Sequence, residues 1–209
     1  MSLWLFSTLA AAVTVAGFAT VVWISRLADR LPSSRRRQLA FGLLAAYAAV
    51  LVFRPAAWPV IDLAVLGGAI GGVLLIEPGL QTAPAIVVFV TVAGLLDFIS
   101  MISGGLSRTL VEHYQKGTSS LLLYLTLVWP VRGYLVPIVG IGDLFIGGSA
   151  AAALLRLKLN PAAVMGAMIG GLLIALAVGL WRGGAPAVPF LAAAVWLLVW
   201  RRAQRLRSR

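Results

Sequence analysis

The chain has 209 residues, 61% of them hydrophobic and 11% charged, with a mean hydropathy of +1.01. A soluble domain carries about 25% charged residues, so this composition excludes one and points to an integral membrane protein. There is no cysteine and only one histidine, His113, which removes disulfides, thiolate metal sites, cysteine nucleophiles and histidine-rich metal centres.

A span takes about 20 residues, so the expected fold is all-α: a polytopic transmembrane helical bundle of about seven spans plus a short re-entrant or interfacial segment. The apolar runs place the crossings at 3–25, 38–54, 58–76, 82–104, 134–156, 160–181 and 184–200. The first run has no basic residue before it and further spans follow, so it reads as a mature helix rather than a secretory signal. The charged loop Arg26–Arg37, the Arg54-Pro55 and Trp58-Pro59 pairs, and Glu77-Pro78-Gly79 separate the early spans. Asn160-Pro161 opens a helix, because the first turn does not need the donor that proline lacks. Residues 105–133 begin polar and end in a short apolar run, SLLLYLTLVWPV, which suits a re-entrant or interfacial segment at 119–133. Gly104-Gly105 and Gly183-Gly184 read either as hinges or as ordinary punctuation between spans. The order of elements suggests a three-span scaffold over 1–81 and a four-span half over 82–209.

The formal charge of +11 sits at span ends: Arg26, Arg30 and Arg35–Arg37 after the first run, and Arg201, Arg202, Arg205, Arg207 and Arg209 after the last. Such clusters are orientation signals and contacts to anionic lipid, not nucleic-acid sites. Seven spans with an outside N-terminus and a cytoplasmic tail put both clusters inside. A prokaryotic cell membrane suits the arginine-rich, loop-poor composition.

Only six acidic residues exist. Asp29, Glu77 and Glu112 fall in loops or at span ends, and Asp62, four residues after Trp58, is expected to reach the interface. Asp97, in GLLDFIS, and Asp143, in VGIGDLFIGG, are left inside spans. Their helices are neighbours in sequence and joined on the outer face, which puts both carboxyls roughly 10–15 Å below that end. Two carboxyls in contact share a proton: one activates water while the other polarises a carbonyl. Such a pair can hydrolyse a peptide without metal, histidine or cysteine. Gly140, Gly142, Gly147 and Gly148 strip side chains from around Asp143, for close helix packing or for approach of a substrate backbone. The plainer alternatives are a polar packing contact for Asp143 and a carboxylate satisfied by a serine or tyrosine for Asp97.

On these residues the chain resembles the presenilin and signal peptide peptidase family of GxGD intramembrane aspartyl proteases. Gly140-Ile141-Gly142-Asp143 reads as the GxGD motif, and Asp97 stands where the family has its Tyr-Asp motif, with Leu96 in place of the tyrosine. Pro186-Ala187-Val188 is similar to the Pro-Ala-Leu motif that opens the last helix, with Val188 for the leucine. The 46-residue separation of the aspartates (143 − 97) is similar to that of signal peptide peptidases. The likeness covers about 85–200, and the chain looks like a version lacking two N-terminal spans.

The resemblance implies Asp97 and Asp143 as catalytic residues and Gly140, Ile141, Gly142, Pro186, Ala187 and Val188 as substrate-binding. It implies no metal and no cofactor. The expected partners are transmembrane-helix or signal-peptide substrates within the lipid bilayer, with a homo-oligomer left open and no nucleic acid. Three other readings stand beside it: a prepilin-peptidase-like aspartyl protease, a proton- or cation-coupled transporter using the same aspartates, and a structural or chaperone-like membrane protein whose pair is inactive.

Overall fold

Proline sets the start of four helices. Pro59, Pro84, Pro161 and Pro189 each lie in a first turn, where the missing N–H has no intrahelical acceptor to serve. A computed structural model describes residues 3–54, 57–103, 123–131, 134–182 and 185–207. Among these residues the chain forms α1 (Leu3–Ala28), α2 (Ser33–Phe53), α3 (Trp58–Ile76), a 3-10 turn (Glu77–Gly79) and α4 (Ala83–Ile102). A hairpin of β1 (Thr126–Val131) and β2 (Tyr134–Gly140) follows, then α5 (Ile141–Arg156), α6 (Pro161–Arg182) and α7 (Val188–Arg207).

Five of these helices, α1, α2, α3, α4 and α6, are long and apolar enough to cross a membrane. The protein is an all-α membrane bundle carrying one two-stranded insertion. α5 is shorter, at 16 residues or about 24 Å, against a hydrocarbon core of about 30 Å. α7 is apolar only as far as Trp200, where its arginine-rich tail begins.

The expected helix 134–156 needs correcting. Its first seven residues form β2, and the helix starts only at Ile141. Tyr134–Gly140 carries Val136, Ile138 and Val139, which suit a pleated strand, and Pro137, which would break a helix interior. Part of the expected re-entrant segment is likewise strand β1. β2 pairs antiparallel with β1, and the register slips between Leu127 and Val128, where Val128 faces Pro137. Proline has no N–H for the ladder. Residues 119–122, 132 and 133 of that segment lie outside the described residues, as do Glu112, His113, Gly104-Gly105 and Gly183-Gly184.

Helix ends are closed by their own sequence. Thr82 Oγ1 accepts the Ala85 N–H at 3.3 Å and caps α4. After α5, Lys158 adopts a left-handed φ of 59°. Its N–H reaches Leu155 O and the Leu159 N–H reaches Leu154 O, the paired bonds of a Schellman end. Asn160 then caps α6 by accepting the Ala162 N–H at 2.9 Å.

α5 is the axis of the bundle. Nearly all of its residues from Leu144 to Leu154 are buried, and it packs against α1, α3, α4, α6 and α7, so the two expected halves share one core. Its small-residue run GGSAAAA lets those backbones approach closely. At Gly148 a Cβ would lie 2.8 Å from Val21 Cγ1 on α1 and 3.1 Å from Val73 Cγ2 on α3. Both neighbours are β-branched and stiff. Gly148→Ala is therefore expected to lower stability by about 1–2 kcal/mol, read as an earlier melting transition in detergent.

The ends of the helices sort by charge. Arg36 at the start of α2, Glu77 after α3 and Arg156 at the end of α5 form one ion-paired cluster. Arg202 of α7 donates to Leu157 O beside it, at 2.8 Å. The hairpin joins the opposite end of α5.

Candidate functional site

Asp143 is the third residue of α5, not nine residues into a span as the apolar run suggested. Its Oδ2 accepts the N–H of Gly140, the residue preceding the helix, at 3.3 Å. A side chain at this position bonding back to the cap N–H closes a helix start, and its charge complements the positive end of the helix dipole. Asp97 lies five residues before the end of α4 at Ile102 (102 − 97). Both acids are thus nearer their helix ends than the apolar runs imply, Asp143 by the seven residues of β2 and Asp97 by fewer. Each lies within electrostatic reach of the other.

A third element joins them. The Val188 N–H, at the first residue of α7, donates to Asp97 Oδ2 at 3.4 Å. This N–H is one of the first-turn donors that no helical carbonyl can take. Close packing holds the contact. A Cβ on Gly94 of α4 would lie 3.4 Å from Pro189 Cα, and the Trp196 indole N–H donates to Thr91 Oγ1 at 2.9 Å. Two helix N-termini therefore converge on two carboxyls, and both favour negative charge there.

The remaining expected site residues fall into two groups. Gly140 lies beside the Asp143 carboxyl, where a Cβ would come within 3.1 Å of Oδ2. Gly142 is exposed, and a Cβ there would meet nothing within 4 Å. Pro186 and Ala187 are partly exposed in the irregular stretch before α7, and Val188 is buried. Ile141 turns toward α3, where its Cδ1 occupies the space over Gly68, while its N–H donates to Leu125 O at 2.8 Å. Leu96, beside Asp97, is 63% exposed on the outer face of α4. Among the described residues no three of His, Cys, Asp and Glu gather where one metal ion would hold them.

The chain matches no protein-family model, no curated protein and no solved structure. The site therefore stands on its own geometry.

Two features escaped the sequence reading. Asp62 does not serve only the interface: its Oδ1 accepts the Val128 N–H at 2.8 Å, at the slipped step of the hairpin. With the Trp58–Trp129 ring contact, centroids 5.8 Å apart, and the Tyr47 hydroxyl donating to Tyr124 O at 3.0 Å, it fastens the hairpin to α2 and α3. Pro137 was the available signal, since a proline in a paired strand forces an irregularity. The second feature is Glu77, which is fully buried between two arginines rather than solvated in a loop.

Proposed function

We propose that the protein is an intramembrane aspartyl protease of the presenilin and signal peptide peptidase type, hydrolysing peptide bonds in transmembrane helices or remnant signal peptides. The observation that carries this reading is Asp97 held by the Val188 N–H at the start of α7, with Asp143 within its electrostatic reach. One carboxylate takes a proton from water as the water adds to a substrate carbonyl. The other, protonated, donates to that carbonyl; the first then gives the water's proton to the amine nitrogen as the C–N bond breaks, and the second recovers its own as the carbonyl re-forms. The two helix N-termini steady the negative charge that the pair carries through the cycle.

The approach to the site is consistent with this chemistry. α4 is peripheral, with Leu95, Leu96, Phe98 and Ile99 exposed among the described residues, so a helix diffusing in the bilayer reaches Asp97 from the side. The substrate must unwind there, because a helix shields its carbonyl carbons. Extended chain is held by strand addition, and β2 runs straight into the turn that carries Asp143. Irregular backbone at this depth is tolerated where protein buries it, as it does at Leu127, Val128 and Val139.

Seven crossings with a cytoplasmic tail belong to the same proposal. The Arg36–Glu77–Arg156 cluster would then lie inside and the hairpin toward the outer face. That arrangement argues against a prepilin-peptidase-like enzyme, which cuts near the cytoplasmic surface.

The test is cleavage of a model transmembrane substrate in detergent by the wild type, Asp97→Asn and Asp143→Asn. The protease reading requires both acids. Ion-dependent uptake into liposomes without cleavage would establish the transporter instead. Gly142 supplies a second check. Gly142→Leu is expected to leave the melting transition unchanged, since nothing lies within 4 Å of its Cβ position. Cleavage is expected to fall roughly tenfold or more, as a misplaced scissile bond loses its alignment.

A further inference from the structure

At the basic end of the bundle lies an open cavity of about 610 Å³, bordered by Arg26, Arg30, Arg36, Arg156 and Asp29. We propose that this cavity is a binding site for the phosphate headgroup of an anionic phospholipid, independent of the protease chemistry.

The charge balance supports the assignment. Four arginines surround the cavity, and the acids paired with them are Asp29 and Glu77. The sum, 4 − 2, leaves an excess of two positive charges. The acids also set the geometry. Arg36 bridges Asp29 at 2.7 Å and Glu77 at 2.6 Å, and its side chain is only 12% exposed. Arg156 bridges the same two acids. Guanidinia held this way lose little freedom when they meet a phosphate, whose oxygens match their planar fork. Arg26 is 3.8 Å from Asp29 with its side chain 43% exposed, and Arg30 is exposed on the same rim.

The location selects a lipid. The cavity is formed where α1 ends, beside a span, and its remaining wall is Trp23 and Leu27. Trp23 is 65% exposed on the flank of α1. An indole at that level is a membrane-interface residue, and it offers an apolar surface for the glycerol and the first methylenes of a lipid. Basic pockets between helices on the cytoplasmic side hold headgroups in this manner.

The experiment uses the full chain, stripped of lipid in detergent, with lipid binding followed by native mass spectrometry. Phosphatidylglycerol is expected to bind in a one-to-one complex that phosphatidylcholine does not form. Arg26→Gln combined with Arg30→Gln should weaken that complex roughly 30-fold. Arg35→Gln combined with Arg37→Gln, which removes the same charge from exposed positions outside the cavity, should leave it intact. Equal binding of the two lipids, or equal loss in the two double variants, would overturn the proposal in favour of diffuse surface attraction. Displacement of phosphatidylglycerol by an equal concentration of inorganic phosphate would also overturn the lipid assignment, and would mark the cavity as a site for free phosphate.

Discussion

Asp97→Asn and Asp143→Asn are each expected to lower the turnover of a model transmembrane substrate by roughly 10³-fold or more, and the double variant to be no worse than either single one. The lack of additivity follows from the chemistry. A shared proton needs both carboxyls, so removing the first already ends the reaction path and the second has nothing left to lose. Asparagine is chosen because it keeps the local structure. Its side-chain oxygen still accepts the Val188 N–H at position 97 and the Gly140 N–H at position 143. What disappears is the proton exchange, at a cost to stability of about 1 kcal/mol from the lost charge at each helix N-terminus. Asp62→Asn is the control. It also sits in a span and also accepts one backbone N–H, yet it is expected to cleave normally. Single-turnover cleavage alongside melting curves checks all four proteins. Full activity in either of the first two variants would remove the protease reading.

The spans were readable because membrane helices announce themselves by length and by what interrupts them. Trp58–Ile76 has the same bounds in sequence and structure, fixed by Pro59 in its first turn and Glu77-Pro78-Gly79 after it. The start of α6 at Pro161 is equally legible, since Asn160 and Pro161 are a cap and a first-turn residue side by side. The hairpin was not, because hydropathy alone joins YLVPIVG to the apolar helix that follows. Periodicity does not separate a buried strand from a buried helix. Three β-branched residues around Pro137 were the discriminating signal.

The proximity of the two aspartates was readable for a different reason. Helices adjacent in sequence run antiparallel, and both acids were offset from the same end. The offsets themselves shrank in the structure, on α4 because the helix stops at Ile102 and on α5 because the strand takes the first seven residues. Both changed in the same direction, and the two acids stay within electrostatic reach of each other. No local pattern pairs Arg36 with Glu77 or Glu77 with Arg156. The contacts join residues 41 and 79 apart in sequence and arise only when three helix ends meet.

That meeting of helix ends leads to the largest expected effect on stability. Glu77→Ala should destabilise the protein by about 2–3 kcal/mol, below the full cost of an unpartnered buried charge because Asp29 still pairs both arginines. Glu77 is fully buried and receives both the Arg36 guanidinium, at 2.6 Å, and that of Arg156. Removing it leaves both arginines to Asp29 alone and strands one positive charge among the ends of α2, α3 and α5. Asp29 touches the same arginines, but its side chain is 24% exposed, and water replaces it more readily. Asp29→Ala is therefore expected to cost no more than about 1 kcal/mol. A melting series in detergent separates the two, at about 2–4 °C per kcal/mol for a chain of this size. The decisive member of the series is the triple replacement of Arg36, Glu77 and Arg156 by methionine. Apolar residues of similar volume carry no desolvation penalty, so this protein should recover most of the stability that Glu77→Ala loses. If the triple variant melts as early as Glu77→Ala, the loss reflects packing at that junction rather than stranded charge.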